Sequence, residues 1–170
     1  MEAQVAPLAA PSHSRLMQPS VVQMDNGLLV TMFIPGKPVP KGRPRGRVVQ
    51  RPGKKAFVQF YTDSSTVQWE STVAQVLRLQ AVRLGLPLPF EGRCLVYLRF
   101  NLEKPKSTPK SVMFPVKSRT DVDNLAKAVL DGMQNAQILI NDNIVTDLTV
   151  TKRYADDDHP LGVEVEITAL

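Results

Sequence analysis

Four prolines, Pro38, Pro40, Pro44 and Pro52, bar any helix between Lys37 and Lys55. Proline lacks the amide donor, and its ring clashes with the preceding helical turn. The same segment carries eight basic side chains (Lys37, Lys41, Arg43, Arg45, Arg47, Arg51, Lys54 and Lys55) and no acid. It is expected to be an extended, stiffened basic arm, with the folded core built from the chain on either side.

Before the arm, residues 1–26 are rich in Ala, Pro, Ser and Gln and lack a core-forming period, so a mobile N-terminal tail is expected. Leu28 to Ile34 is an apolar run with the character of a buried strand, closed by Pro35 and Gly36. After the arm, Phe57 to Tyr61 suits a short strand. Thr62 or Asp63 then caps a long helix to about Leu84, with Trp69, Val73, Val76, Leu77, Ala81 and Leu84 near one face. Gly85 and Pro87 stop it. Cys94 to Leu102 reads as a central strand, and residues 103–120 as a basic loop.

Asp121 to about Asn135 is the second helix, apolar at Val122, Leu125, Ala126, Val129 and Met133. Asn141-Asp142-Asn143 predicts a turn. Val145 to Tyr154 and Val163 to Thr168 predict strands, the latter with Glu164, Glu166 and Thr168 on a wet face. The fold class is α+β: one domain over 27–170, with a mixed sheet of about four to five strands packed against two main helices.

Composition narrows the chemistry. One cysteine, Cys94, and two histidines, His13 and His159, exclude a disulfide scaffold, a Cys-rich zinc module and a multi-His metal site within one chain. Cys94 sits in an apolar strand pattern and is expected to be buried and inert. His159 falls in a loop beside Asp156, Asp157 and Asp158, where a surface role is expected. No apolar run approaches the ~20 residues of a membrane helix, and no signal peptide is visible, so a cytoplasmic protein is expected. The net charge is +5, yet ten of the sixteen acids lie from Arg119 onward. A basic block can hold a polyanion, and an acidic block can hold metal ions against it.

The sharpest local feature is Asp121-Val122-Asp123-Asn124-Leu125-Ala126-Lys127, followed by Asp142. At a helix start, Asp121 and Asp123 can both project toward one site beyond the helix end. Lys127 shares the face of Asp123, opposite the apolar stripe. Asp142, in a turn after the helix, could fold back to the same place. Carboxylates without histidine make a hard-oxygen site suited to Mg²⁺ or Mn²⁺, and a nearby lysine suits a phosphate oxygen. The same residues also fit a purely structural role. Thr120-x-x-Asp123 matches a capping box, acids favour a helix N-terminus, and Asp123 with Lys127 makes an i, i+4 ion pair. An EF-hand is excluded, because Ala126 and Gly132 stand where Gly and Glu are needed. A Walker A loop is absent.

Asp121-x-Asp123-Asn124-Leu125-x-Lys127, then Asp131, then Asp142 before Asn143-Ile144-Val145, resembles the RusA family of Holliday junction resolvases. Ile34-Pro35-Gly36-Lys37-Pro38-Val39-Pro40-Lys41-Gly42-Arg43-Pro44-Arg45 is similar to the N-terminal strand and basic loop of its phage-type members. By pattern order the likeness covers roughly residues 28–168. It implies a RusA-like fold and a small, homodimeric, Mg²⁺-dependent endodeoxyribonuclease that nicks two strands of a four-way junction symmetrically in DNA recombination and repair. Asp121, Asp123 and Asp142 would be the metal-binding carboxylates and Lys127 the catalytic lysine. Family members often have two acids where this chain has Asn141-Asp142, so Asp142 is taken as the ligand.

Lys37, Lys41, Arg43, Arg45 and Arg47 of the arm, with Lys117 and Arg119 of the second basic loop, are the expected DNA contacts; phosphate contacts position DNA without reading its sequence. Four-way junction or other branched DNA is the expected partner. The alternatives are a non-enzymatic nucleic-acid-binding protein and a metal-dependent nuclease acting on flaps or other branched DNA.

Overall fold

The computed structural model describes residues 18–43, 45–116 and 120–170, with Arg45 described by its backbone only. Five strands make the main sheet: β1 (Ser20–Met24), β2 (Gly27–Pro35), β5 (Cys94–Leu102), β6 (Val145–Tyr154) and β7 (Gly162–Ala169). Their order is β1-β2-β7-β5-β6. Every neighbouring pair is antiparallel except β5 and β6, which are parallel. Parallel neighbours need a crossover, supplied here by α2 (Val122–Asn135). The basic arm becomes a separate two-stranded hairpin of β3 (Arg45–Val49) and β4 (Phe57–Tyr61). Helix α1 (Ser64–Leu84) follows it. The α+β reading therefore holds.

Local chemistry explains the helix ends. Asp63 caps α1, its carboxylate accepting from the Ser65 amide at 3.0 Å. Gly85 ends α1 in the left-handed region (φ 64°), and its amide reaches back to the last turn. Trp69, Val73, Leu77 and Ala81 of α1 and Leu125, Val129 and Met133 of α2 are buried. They pack with alternate residues of the strands: Val30, Met32 and Ile34; Val96, Leu98 and Phe100; Val163, Val165 and Ile167. The two helices meet at Gly132, where an added Cβ would lie 2.4 Å from Val73 Cγ1. Beyond β1, Gln80 of α1 covers β2, accepting from the Phe33 amide at 3.1 Å and donating to its carbonyl at 2.6 Å.

Three expectations change. Residues 20–24 belong to the sheet rather than a tail, paired with β2 from Ser20↔Thr31 to Met24↔Gly27. All five are exposed, so no apolar period announces them; the signal was the tight turn at Asp25-Asn26 before Gly27. Residues 1–17 of the expected tail lie outside the described residues. Glu164 is buried, not wet. It accepts from Arg99 Nη1 at 2.9 Å and Asn101 Nδ2 at 3.0 Å, which satisfies a carboxylate that burial would otherwise penalise. His159 is also buried, its ring nitrogens 2.9 Å from Arg153 Nη1 and 2.7 Å from Asp156 Oδ1. Cys94 is buried as expected, and burial pushes its thiol pKa up. No helix among the described residues is long and apolar enough to cross a membrane.

Candidate active site

Asp121 is the residue from which α2 starts. Its backbone is extended (φ −79°, ψ 139°), and its carbonyl accepts the first helical bond from Leu125 at 3.1 Å. Its carboxylate makes no capping hydrogen bond. The cap is thus Asp121 rather than Thr120, and the side chain is not consumed by capping. Asp123 lies in the first turn and Lys127 one turn further, both exposed. Leu125, Ala126 and Val129 face the core. Among the described residues no hydrogen bond or ion pair engages the side chains of Asp121, Asp123, Lys127 or Asp142, so the Asp123–Lys127 ion pair of the purely structural reading is not formed.

Two tethers hold this helix end. The amide of Lys41 donates to the Asn124 carbonyl at 2.8 Å, which fastens the root of the basic arm to the first turn of α2. Lys152 Nζ of β6 donates to the Thr120 carbonyl at 2.8 Å. A cleft of about 610 Å³ adjoins the same end, lined by Lys37, Lys104, Lys106, Thr120 and Tyr154 among others. Lys104 lies over the Tyr154 ring, 5.7 Å from its centroid. Lys37 pairs with Glu103 at 2.8 Å, and this ammonium holds the Glu103 carboxyl below its ordinary value.

The expected DNA contacts divide. Arg43 and Arg47 are exposed, and Arg47 donates to Gln59 across the hairpin. Lys41 differs: its ammonium lies 2.6 Å from Glu70 and 2.5 Å from Asp131, joining arm, α1 and α2. Burial works to lower its pKa, but the Asp131 and Glu70 carboxylates outweigh this and the net shift is upward. Lys41 and Asp131 are therefore placed as a structural brace. Lys117, Arg119 and the Arg45 side chain lie outside the described residues. Lys152 and the β6 edge escaped the sequence reading; the polar residues alternating through Val145–Tyr154 were the available signal.

Asp142 does not fold back. It opens a single 3-10 turn (Asp142–Ile144) after α2, where Asn141 Oδ1 accepts from the Asn143 amide at 2.9 Å. Just before it, Leu139 bridges Phe90, and just after it Val145 begins β6 beside Cys94. The 14 residues of α2 rise about 21 Å at 1.5 Å each, so Asp142 stands at the opposite end of the helix from Asp121 and Asp123. Consistently, no three His, Cys, Asp or Glu side chains among the described residues form a metal-holding group.

The arrangement is a pair of unengaged carboxylates and a lysine at a tethered helix end, beside a basic cleft and at the root of a basic hairpin. No curated protein matches the chain. Residues 35–168 match the family model described as Endodeoxyribonuclease RusA.

Proposed function

The chain belongs to the RusA endodeoxyribonuclease family, hydrolases of the Holliday-junction-resolving kind, and from that premise we propose that it resolves four-way junctions by Mg²⁺-dependent, paired, symmetric nicks during recombination and repair. Nucleases of this family are metal-dependent and bind branched DNA. The observation that carries the reading is the state of Asp121 and Asp123. Both are exposed, neither is used as a cap or ion-pair partner among the described residues, and both stand at the end of α2 where arm and cleft converge.

The donor set fits the metal. Mg²⁺ takes hard oxygens and is commonly held by one or two carboxylates, with phosphate oxygens and waters completing the shell. Asp121 and Asp123 supply those two within one chain. A bound Mg²⁺ supplies Lewis-acid polarisation of the phosphate and acidifies water. The chain's own residues do the rest. Lys37, Lys104 and Lys106 bind phosphates along the cleft, while Arg43 and Arg47 extend the contact along the hairpin. Lys127 offsets charge gathering on the phosphate or on the leaving oxygen. Water adds at phosphorus and one P–O ester bond breaks, leaving a hydroxyl and a phosphate monoester.

The test compares a four-way junction, a flap and a linear duplex, each incubated with the purified chain and Mg²⁺. Paired nicks at symmetric positions in the junction are expected, with none in the absence of divalent metal. Preferential cutting of the flap would assign the site to a different branched substrate, and a wholly inert protein would overturn the reading.

A further inference from the structure

Resting on the nuclease reading above, we propose that the apolar face of the β3–β4 hairpin reads the branch point of the DNA: Phe60, flanked by Val48 and Val58, stacks on bases that a branch leaves open, and so favours branched over linear DNA. Cross-strand pairing brings these residues together. Val48 pairs with Val58 and Gly46 with Phe60, so all four share one face, and the intervening pair of Arg47 and Gln59 takes the other. Phe60 is 70% exposed, Val48 72% and Val58 54%. None of the three joins the core. Gly46 completes the platform. A Cβ there would lie 3.0 Å from Val58 Cγ1 and 3.4 Å from the Phe60 ring, so both side chains rest against bare backbone. The ring is held on the hairpin while most of its surface faces water.

Charge selects the occupant of this face. Residues 43–61 carry six cations and no acid. A second copy of the hairpin would bring like charges together, whereas a polyanion is drawn to it. Cations alone hold the phosphate backbone without sensing whether bases are stacked; cations interleaved with an exposed aromatic ring make a platform for backbone and base together. The hairpin is also rooted at the candidate active site. The Lys41 amide, shortly before β3, donates to the Asn124 carbonyl at the acidic end of α2 at 2.8 Å, and Asp63, shortly after β4, caps α1. DNA held at that helix end therefore passes the hairpin. In a linear duplex each base face is covered by its neighbour, and an inserted side chain must first break a stack. At a branch the stack is already interrupted, so the ring meets a base face without that cost.

The test measures binding without divalent metal, so that no strand is cut. Fluorescence anisotropy compares a four-way junction with a linear duplex of the same arm sequence, using the full-length wild type, Phe60→Ala and Phe60→Trp. Phe60→Ala should bind the junction about tenfold more weakly, the scale of one base–aromatic stack. Its duplex affinity should change by less than about twofold, since the phosphate-binding cations remain, and its melting temperature should hold because the ring is exposed. Phe60→Trp should restore junction affinity. A fluorescent base analogue at the branch point should respond to the wild type and not to Phe60→Ala, and the same probe in mid-arm should respond to neither. Equal losses on junction and duplex, or no loss on either, overturn the proposal, as does a wild type that leaves the branch-point probe unchanged. It also falls if Phe60→Ala breaks up a wild-type oligomer, or loses binding to phosphatidylserine vesicles while keeping the junction; the face would then belong to a second copy or to a lipid surface. If junction binding depends on Phe60 but no form nicks with Mg²⁺, branch reading stands and the nuclease reading falls. If the wild type nicks junctions and Phe60→Ala binds them equally well, the reverse holds.

Discussion

Lys152 Nζ donates to the carbonyl of Thr120 at 2.8 Å, so the strand at the edge of the sheet holds the residue from which the acidic end of α2 departs. The bond bridges 32 positions of sequence and positions Asp121 through the backbone alone. Replacing Lys152 by Met keeps the apolar stem and removes the donor. The expected cost in stability is about 1 kcal/mol, with the fold retained. Junction binding should change little while the nicking rate falls, because the loss is one of carboxylate placement. Separate measurement of binding and single-turnover nicking checks this; equal losses in both would mean that Lys152 contacts DNA.

Lys41 should behave as a brace. Lys41→Met leaves Glu70 and Asp131 without their shared cation at a junction of three elements. A loss of about 2 kcal/mol is expected at neutral pH, discounted because the group is partly solvated. The pH dependence follows from the raised pKa. The ammonium's contribution is whole below its ordinary 10.5 and is lost as pH rises through the higher folded value. The urea midpoint of the wild type should therefore fall on the alkaline side, and the variant should lack that limb. The salt dependence of junction binding should be unchanged by the variant.

Arg43 and Arg47 should behave in the opposite way. Both are exposed, so charge reversal at both should leave the melting temperature nearly unchanged. If each neutralises one phosphate, the slope of log K against log salt should fall by about 2. Fluorescence titrations at several salt concentrations read this directly; an unaltered slope would remove the hairpin from the DNA path.

Lys127→Ala tests the lysine beside the carboxylates. The side chain is exposed and unpaired among the described residues, so its removal should not lower stability. Mn²⁺ binding and junction binding should persist. The nicking rate should fall by about a hundredfold, the scale on which one well-placed charge stabiliser acts. A rate near that of the wild type would leave Lys127 as a solvated surface residue.

Much of the fold was legible because helices and strands are written in short-range periods. The 3.6-residue spacing of Trp69, Val73, Leu77 and Ala81, with Asp63 before it and Gly85 after it, sufficed to bound α1. The apolar stripe at Leu125, Val129 and Met133 did the same for α2 and left Asp123 and Lys127 on the open side. Proline alone determined that the arm is extended. The signature from Asp121 to Asp142 pointed to the family that the match over residues 35–168 establishes. By contrast, β1 carries no burial pattern, because only backbone pairing with β2 holds it.

Distances between elements were decided by tertiary structure. A sequence states that Asp142 follows Asp121; whether the chain returns to bring them together depends on how it crosses the sheet. Here β5 and β6 are parallel, so α2 must run back along the sheet before β6 can begin, and its two ends are held apart by its own length. The same crossover leaves the ten residues of β6 as an outer edge. Lys41 read as one cation among eight until the packing of α1 against α2 placed Glu70 and Asp131 around it. Local pattern sets which residues form a helix or a strand. Which charges meet is set by the path between them, because Coulomb attraction and hydrogen bonding act over a few ångströms of space regardless of separation in sequence.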